Sequence, residues 1–118
     1  MMTLFKPFDV VIVPFPFIDT EISKLRPALV ISSNDFNSET GMVTCLMITS
    51  STKMNWSSDV KISHFENAGL KKSCRVRFKM FSIQSSLVRG VTGTLGLGDQ
   101  KQVKKSFSKI FMPILPLK

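Results

Sequence analysis

The sequence predicts a mainly β domain: five or six short strands in a closed or nearly closed sheet, with one helix packed on it near the C-terminal end. Three observations predict this. Apolar, β-branched and aromatic residues come in short runs separated by Pro, Gly and polar turns. Residues 73–83 (SCRVRFKMFSI) alternate in the manner of a half-buried strand. Only residues 99–111 repeat apolar groups at helical spacing. A chain of 118 residues, 43% hydrophobic and 20% charged, suits one globular domain spanning residues 1–118.

The elements follow in order. Residues 8–17 (FDVVIVPFPF) form a first strand whose end, broken by Pro14 and Pro16, belongs at an edge or a bulge. A polar turn covers 18–24, and 26–33 (RPALVISS) is a near-continuous apolar strand. Residues 34–40 (NDFNSET) are polar and cap-rich, predicting a single helical turn or loop closed by Gly41. Residues 41–50 (GMVTCLMITS) make a third strand, apolar enough to be buried on both faces. After the polar loop 51–58, which carries Trp56, residues 59–63 (DVKIS) alternate in and out. In 73–83, Val76, Phe78 and Met80 share one face; Arg75, Arg77 and Lys79 share the other, open to solvent or to phosphate. Gly90, Gly93, Gly96 and Gly98 punctuate a turn-rich stretch without the spacing of a nucleotide fingerprint. Asp99 then opens the helix, with Val103, Phe107, Ile110 and Phe111 on its stripe and Lys101, Lys105 and Lys109 on the opposite side.

Charge is unevenly placed. Residues 1–68 carry a net charge of −2, whereas residues 69–118 hold eleven basic groups against the single acid Asp99, a net of +10. Such asymmetry favours a polyanionic or acidic partner. No apolar run reaches the ~18 residues of a membrane span. The start, MMTLFKPFDV, is too short and too polar in its apolar patch for a signal peptide, so a cytoplasmic location is expected.

The usual catalytic sets are missing. Cys45 and Cys74 lie 29 positions apart with no metal-ligand spacing, and both read as small buried hydrophobes. His64, the single histidine, excludes a two-histidine ribonuclease site and reads as a surface residue. Asp19, Glu21, Asp35 and Glu39 read as solvated loop or cap residues, so neither metal nor cofactor is expected. Chemistry would fall to arginine, lysine, threonine or serine. Arg26 heads the second strand, and Thr49 and Ser50 end the third. If those strands pair antiparallel, Arg26 meets Thr49, and a guanidinium fork beside hydroxyls can hold a phosphate.

The string FDVVIVPFPF–x8–RPALVIS–x8–GMVTCLMITS resembles the signature of the MazF/PemK (Kid) family of toxin ribonucleases. The resemblance continues through Gly69-Leu70-Lys71-Lys72-Ser73, Lys79-Met80-Phe81-Ser82-Ile83 and Val91-Thr92-Gly93-Thr94-Leu95 to the final helix. Where a Gly-Asp pair is common in that family, this chain has Phe8-Asp9, and Phe78 stands where many relatives are polar or acidic. The resemblance implies an SH3-like small barrel of five to seven strands with a C-terminal helix, usually a homodimer. It also implies metal-independent cleavage of single-stranded RNA to 2′,3′-cyclic phosphate and 5′-hydroxyl ends, and silencing by an acidic antitoxin protein. By carry-over Arg26 and Thr49 are the catalytic residues, with Lys24, Ser50, Lys53 and Lys79 expected on RNA. A guanidinium is a poor base, so the main effect of Arg26 would be electrostatic.

Trp56 and Phe81 could stack on unpaired bases or simply pack. Two other readings stand beside the nuclease. One is a barrel that only binds nucleic acid or protein. The other is a gyrase-inhibiting toxin such as CcdB, disfavoured because the chain ends in PILPLK without the tryptophan that group uses.

Overall fold

Apolar residues in these strands alternate between two cores, which is what a sheet covered on both faces requires. Val10, Leu29, Leu46, Ile48 and Val76 enter one cluster, together with Val103 of the C-terminal helix. Val11, Val13, Ala28, Val30, Val43, Cys45 and Ile83 enter the other, closed by Phe5. The structure, a computed structural model, describes residues 5–15 and 24–114. Its elements are β1 (Asp9–Phe15), β2 (Lys24–Val30), α1 (Asn34–Thr40), β3 (Met42–Thr49), β4 (Val60–Lys61), β5 (Arg75–Gln84), β6 (Gly90–Thr94) and α2 (Leu97–Phe111). Together the strands form one curled antiparallel sheet in the order β4-β5-β3-β2-β1-β6. This is the mainly β architecture with a C-terminal helix that the sequence predicts, with six strands among the described residues.

Most element boundaries agree within two residues, and the departures have local causes. Phe8 precedes β1 with φ 73°, a left-handed conformation that costs a residue with a Cβ about 1–2 kcal/mol. Its N–H donates to the Val30 carbonyl at 2.7 Å and its own carbonyl accepts from Leu95 N–H at 2.9 Å, so the backbone is held on both sides. Glycine would adopt that backbone freely. Here the Phe8 ring packs on the first core, with the Lys104 ammonium 5.7 Å from its centre. Pro16, Phe17 and residues 18–23 of the turn expected at 18–24 lie outside the described residues, while Lys24 and Leu25, expected before the strand, already pair with β1 as the start of β2.

The polar stretch 34–40 is a seven-residue helix, longer than the single turn expected. The Ser33 hydroxyl accepts from Phe36 N–H at the start, and Gly41, at φ 70°, ends it. The Gly-rich segment read as turns contains β6, paired along β1. Its residues are mostly exposed, so no apolar pattern marks it.

In β5 the alternation expected to put Met80 with Val76 breaks. A bulge opposite Leu46/Met47 changes the phase, leaving Val76 buried and Met80 44% exposed, while Phe81 and Ile83 turn into the second core. Phe81 is thus a packing residue.

α2 starts at Leu97, with Gly96 as cap and Asp99 already inside the first turn. Val103 is buried, Phe107 and Phe111 are half-buried with ring centres 4.6 Å apart, and Ile110 is exposed; the three lysines of the opposite side face solvent. The stripe is therefore only partly covered. Among the described residues no helix is long and apolar enough to cross a membrane.

Buried Asp99 explains the anchorage of α2. Its carboxylate accepts from Ser63 N–H at 3.1 and 2.9 Å and from His64 N–H at 3.5 Å, tying the helix to the segment after β4. Bonds to a charged acceptor contribute more than neutral ones, and truncation leaves two N–H donors unpaired. Asp99→Ala is expected to lower the unfolding free energy by about 2–3 kcal/mol, measured as a reduced urea midpoint with unchanged slope.

Candidate functional site

β2 and β3 pair Ala28↔Met47, Leu29↔Leu46 and Val30↔Cys45. Carried two residues further, the same antiparallel register sets Arg26 opposite Thr49. Both line one cavity of about 420 Å3, floored by Ile12, Pro27 and Thr92 and bordered by Gly69, Leu70, Lys71 and Lys72. Ser50 and Ser51 line it too. Arg26 is exposed on its strand, its guanidinium 5.5 Å from the centre of the Phe15 ring, a cation–π contact that limits its wandering. The Thr49 hydroxyl accepts from Ser51 N–H at 3.1 Å, which leaves its own proton to donate outward. Among the described residues no carboxylate or imidazole lines this cavity.

The loop on the far side is held by backbone fit. Residues 64–70 are wound by Gly69 N–H to Glu66 carbonyl (2.9 Å) and Leu70 N–H to Phe65 carbonyl (3.0 Å), and the Thr92 hydroxyl donates to the Ala68 carbonyl at 2.9 Å. Gly69 has φ 75°, and a Cβ there would sit 2.3 Å from the Thr92 carbonyl oxygen. This contact sets Lys71 and Lys72 beside Arg26.

The other expected RNA contacts divide. Ser50 lies in the cavity with Arg26 and Thr49. Lys24, Lys53 and Lys79 are exposed but line neither this cavity nor its larger neighbour, and Lys79 falls in the β5 bulge. Lys71, Lys72, Gly69 and Thr92, which also line the cavity, lie outside the set of site residues that the sequence predicts. The signal was present in the paired lysines after Gly69 at the start of the basic half, but nothing local says that this loop folds back on β1 and β6.

The arginine face of β5 is not open as expected. The Arg77 guanidinium donates to both Asp59 oxygens at 3.1 and 2.8 Å and to the Met54 carbonyl at 2.6 Å, with its side chain 14% exposed. The Trp56 ring lies over it at 5.0 Å. Arg75 approaches the same carboxylate at 3.7 Å and donates to Asn55. Asp59 also accepts from Trp56 N–H at 3.1 Å. One carboxylate thus clamps the loop after β3 onto β5.

Burial alone would raise the Asp59 pKa; the hydrogen bonds from Arg77 and Trp56 and the charges of Arg77 and Arg75 outweigh it, and the net shift is downward. The clamp therefore contributes fully above the ordinary carboxylate pKa of about 3.9 and is lost as pH falls through the lower folded value. Trp56 is the only tryptophan in the chain. Its emission should change in that acid range, and Asp59→Asn should remove the transition while costing about 2 kcal/mol at neutral pH. An acid transition that persists in Asp59→Asn would assign it to another group.

Both cysteines are free and buried. Burial pushes the Cys45 thiol up to about 12, and raises Cys74 against a smaller opposing effect of Lys72, so neither is a ready nucleophile. Among the described residues no three His, Cys, Asp or Glu side chains converge.

A family model for the PemK-like, MazF-like toxin of type II toxin–antitoxin systems matches residues 6–111. The chain belongs to this PemK/MazF family. Solved structures agree in fold. An endoribonuclease in complex with its cognate antitoxin from Mycobacterial species superposes with a TM-score of 0.73 at 13% identity, covering 99% of this chain and 100% of that one. MazF from Deinococcus radiodurans gives 0.72 at 21% identity over 94% of this chain and 99% of its own. A MazE–MazF structure from the same organism gives 0.74 at 16%, over 93% and 98%. No curated protein matches the chain in sequence. Within the PemK/MazF family, this chain combines a cation-rimmed cavity with a loop clamped by Asp59.

Proposed function

We propose that this chain is a sequence-selective endoribonuclease toxin that cuts single-stranded RNA without a metal ion, with Arg26 and Thr49 as its catalytic residues. The observation that supports it is the meeting of Arg26, Thr49 and Ser50 with Lys71 and Lys72 around one cavity. In this reading a ribose 2′-oxygen attacks the adjacent phosphorus as its proton is lost, the bond to the 5′-oxygen breaks, and that oxygen takes up a proton. A cyclic phosphate and a 5′-hydroxyl result. Arg26 offers a planar fork to two phosphoryl oxygens, and the Thr49 hydroxyl donates to one of them. Lys71 and Lys72 attract the phosphate backbone, so affinity falls with salt.

The same reading makes the toxin a cytoplasmic homodimer whose cognate partner is an acidic antitoxin protein. Its support is the +10 charge of residues 69–118 and the solved endoribonuclease held with its antitoxin. Incubating the purified protein with a long unstructured RNA in EDTA should give discrete cuts with 5′-hydroxyl ends. RNA left intact at high protein concentration would instead favour a barrel that binds without cutting.

A further inference from the structure

At the end of the sheet away from Arg26, a groove of about 370 Å3 lies between α2 and the strands beneath it. Its walls are Pro7 and Phe8 before β1, Ile31 after β2, and Val103 and Phe107 of α2, with Lys104 at its edge. It shares no residue with the cavity of Arg26 and Thr49. The extended chain from Arg26 to Ile31 covers about 16 Å, so the two are separate places on the surface.

Folding alone does not account for this groove. The Phe8 backbone is left-handed, at φ 73°, a costly conformation for a residue with a Cβ, and residues held there gather at functional sites. The strained position stands an aromatic ring in an apolar wall, where glycine would leave none. Phe107, from the apolar stripe of α2, is half-buried and lines the same groove, so the fold covers that stripe only in part.

The rim carries one sign of charge. Lys104 is exposed, with its ammonium 5.7 Å from the centre of the Phe8 ring. Lys101, Lys105 and Lys109 follow on the outer side of α2, and among the described residues none of the four makes an ion pair. The one acid of the helix, Asp99, is buried and holds the Ser63 and His64 N–H groups instead. No carboxylate lines the groove. Lysines four apart repel one another, and a negative partner relieves that repulsion. A nucleic-acid backbone would meet the lysines but leave the apolar walls without a partner. An acidic protein segment with an apolar anchor satisfies both.

We propose that this groove docks an acidic segment of a partner protein. One leucine or aromatic side chain enters between Phe8 and Phe107, and carboxylates meet Lys104 and its neighbour Lys101, one turn earlier. The proposal holds whether or not the chain cuts RNA.

The probe is a fluorescent glutamate-rich peptide carrying one Leu-Phe pair, beside a twin in which both are Ala. The protein should bind the first about tenfold more tightly, and binding should shift the Ile31 methyl signals in an NMR spectrum. Lys104→Glu should weaken binding about tenfold with RNA cleavage unchanged. Lys109→Glu, the same charge change on the far side of α2, should weaken it no more than about twofold. Equal affinity for the two peptides would overturn the proposal, because the apolar slot would then be unused. So would equal losses in the two lysine variants, which would reduce binding to net charge. Displacement of the peptide by a short RNA, with Ile31 unshifted, would place it in the Arg26 cavity instead. Without peptide binding, a changed oligomeric state in Lys104→Glu would assign the groove to a second copy. Capture of phosphatidylglycerol vesicles without peptide binding would assign it to a membrane surface. Either of these results overturns the proposal.

Discussion

Arg26→Ala is expected to slow RNA cleavage by about 10³-fold or more while the protein stays folded. The magnitude follows from what the guanidinium would face. A phosphorane carries charge on its non-bridging oxygens that the ground-state phosphodiester does not, so a fork placed on those oxygens acts chiefly in the transition state. Loss of a thousandfold corresponds to about 4 kcal/mol of barrier. Folding should barely notice, since Arg26 is exposed near the start of β2 and its contact with the Phe15 ring is a surface one. Arg26→Lys should recover only part of the rate, because an ammonium restores the charge without the paired N–H geometry. Thr49→Ala should cost less, about 10²-fold, and Thr49→Ser should restore most of that loss, because the hydroxyl is the group that matters. The measurement is single-turnover cleavage beside a thermal melt. If Arg26→Ala cuts at the parental rate, the cavity is not the site of chemistry.

The part of this site that lies within β2 and β3 could be read from the sequence because strands record their own boundaries. Arg-Pro marks where the second apolar run begins, and the change from LMIT to SSTK marks where the third ends. Pairing the two runs antiparallel brings the start of one to the end of the other, and the observed register of Ala28 with Met47, carried two residues further, sets Arg26 opposite Thr49. The Val103 end of α2 was legible for a similar reason, since a helical stripe needs only its own residues. What the sequence did not disclose depends on pairs far apart along the chain. Asp59 captures Arg77 from 18 positions away, turning an apparently free basic strand face into a buried clamp. The β5 bulge sits opposite Leu46 and Met47, and no local pattern signals the change of phase. β6 escaped because Gly93 is required by close approach, its built Cβ falling 2.7 Å from the Ala68 carbonyl carbon, so the strand reads as a turn.

Gly69→Ala is expected to be the most destabilising conservative change at the site, at about 3–5 kcal/mol. Two effects add. The backbone at φ 75° disfavours any Cβ by about 1–2 kcal/mol. The new methyl would also lie 2.3 Å from the Thr92 carbonyl oxygen and 2.7 Å from its carbonyl carbon, which are backbone atoms of a paired strand and cannot rotate away. Either the loop lifts off β6, breaking the Thr92 hydroxyl bond to the Ala68 carbonyl, or β6 shifts against β1. Both movements displace Lys71 and Lys72 from the cavity, so cleavage should fall together with stability. Gly41 supplies the control, because its φ of 70° is nearly the same and a Cβ there meets nothing within 4 Å. Gly41→Ala should therefore cost only the conformational part, about 1–2 kcal/mol, and leave cleavage unchanged. The difference between the two urea midpoints measures the loop-to-strand contact itself. Equal losses in both variants would mean that the 64–70 loop is not seated on Thr92, and with it would go the placement of the two lysines beside Arg26.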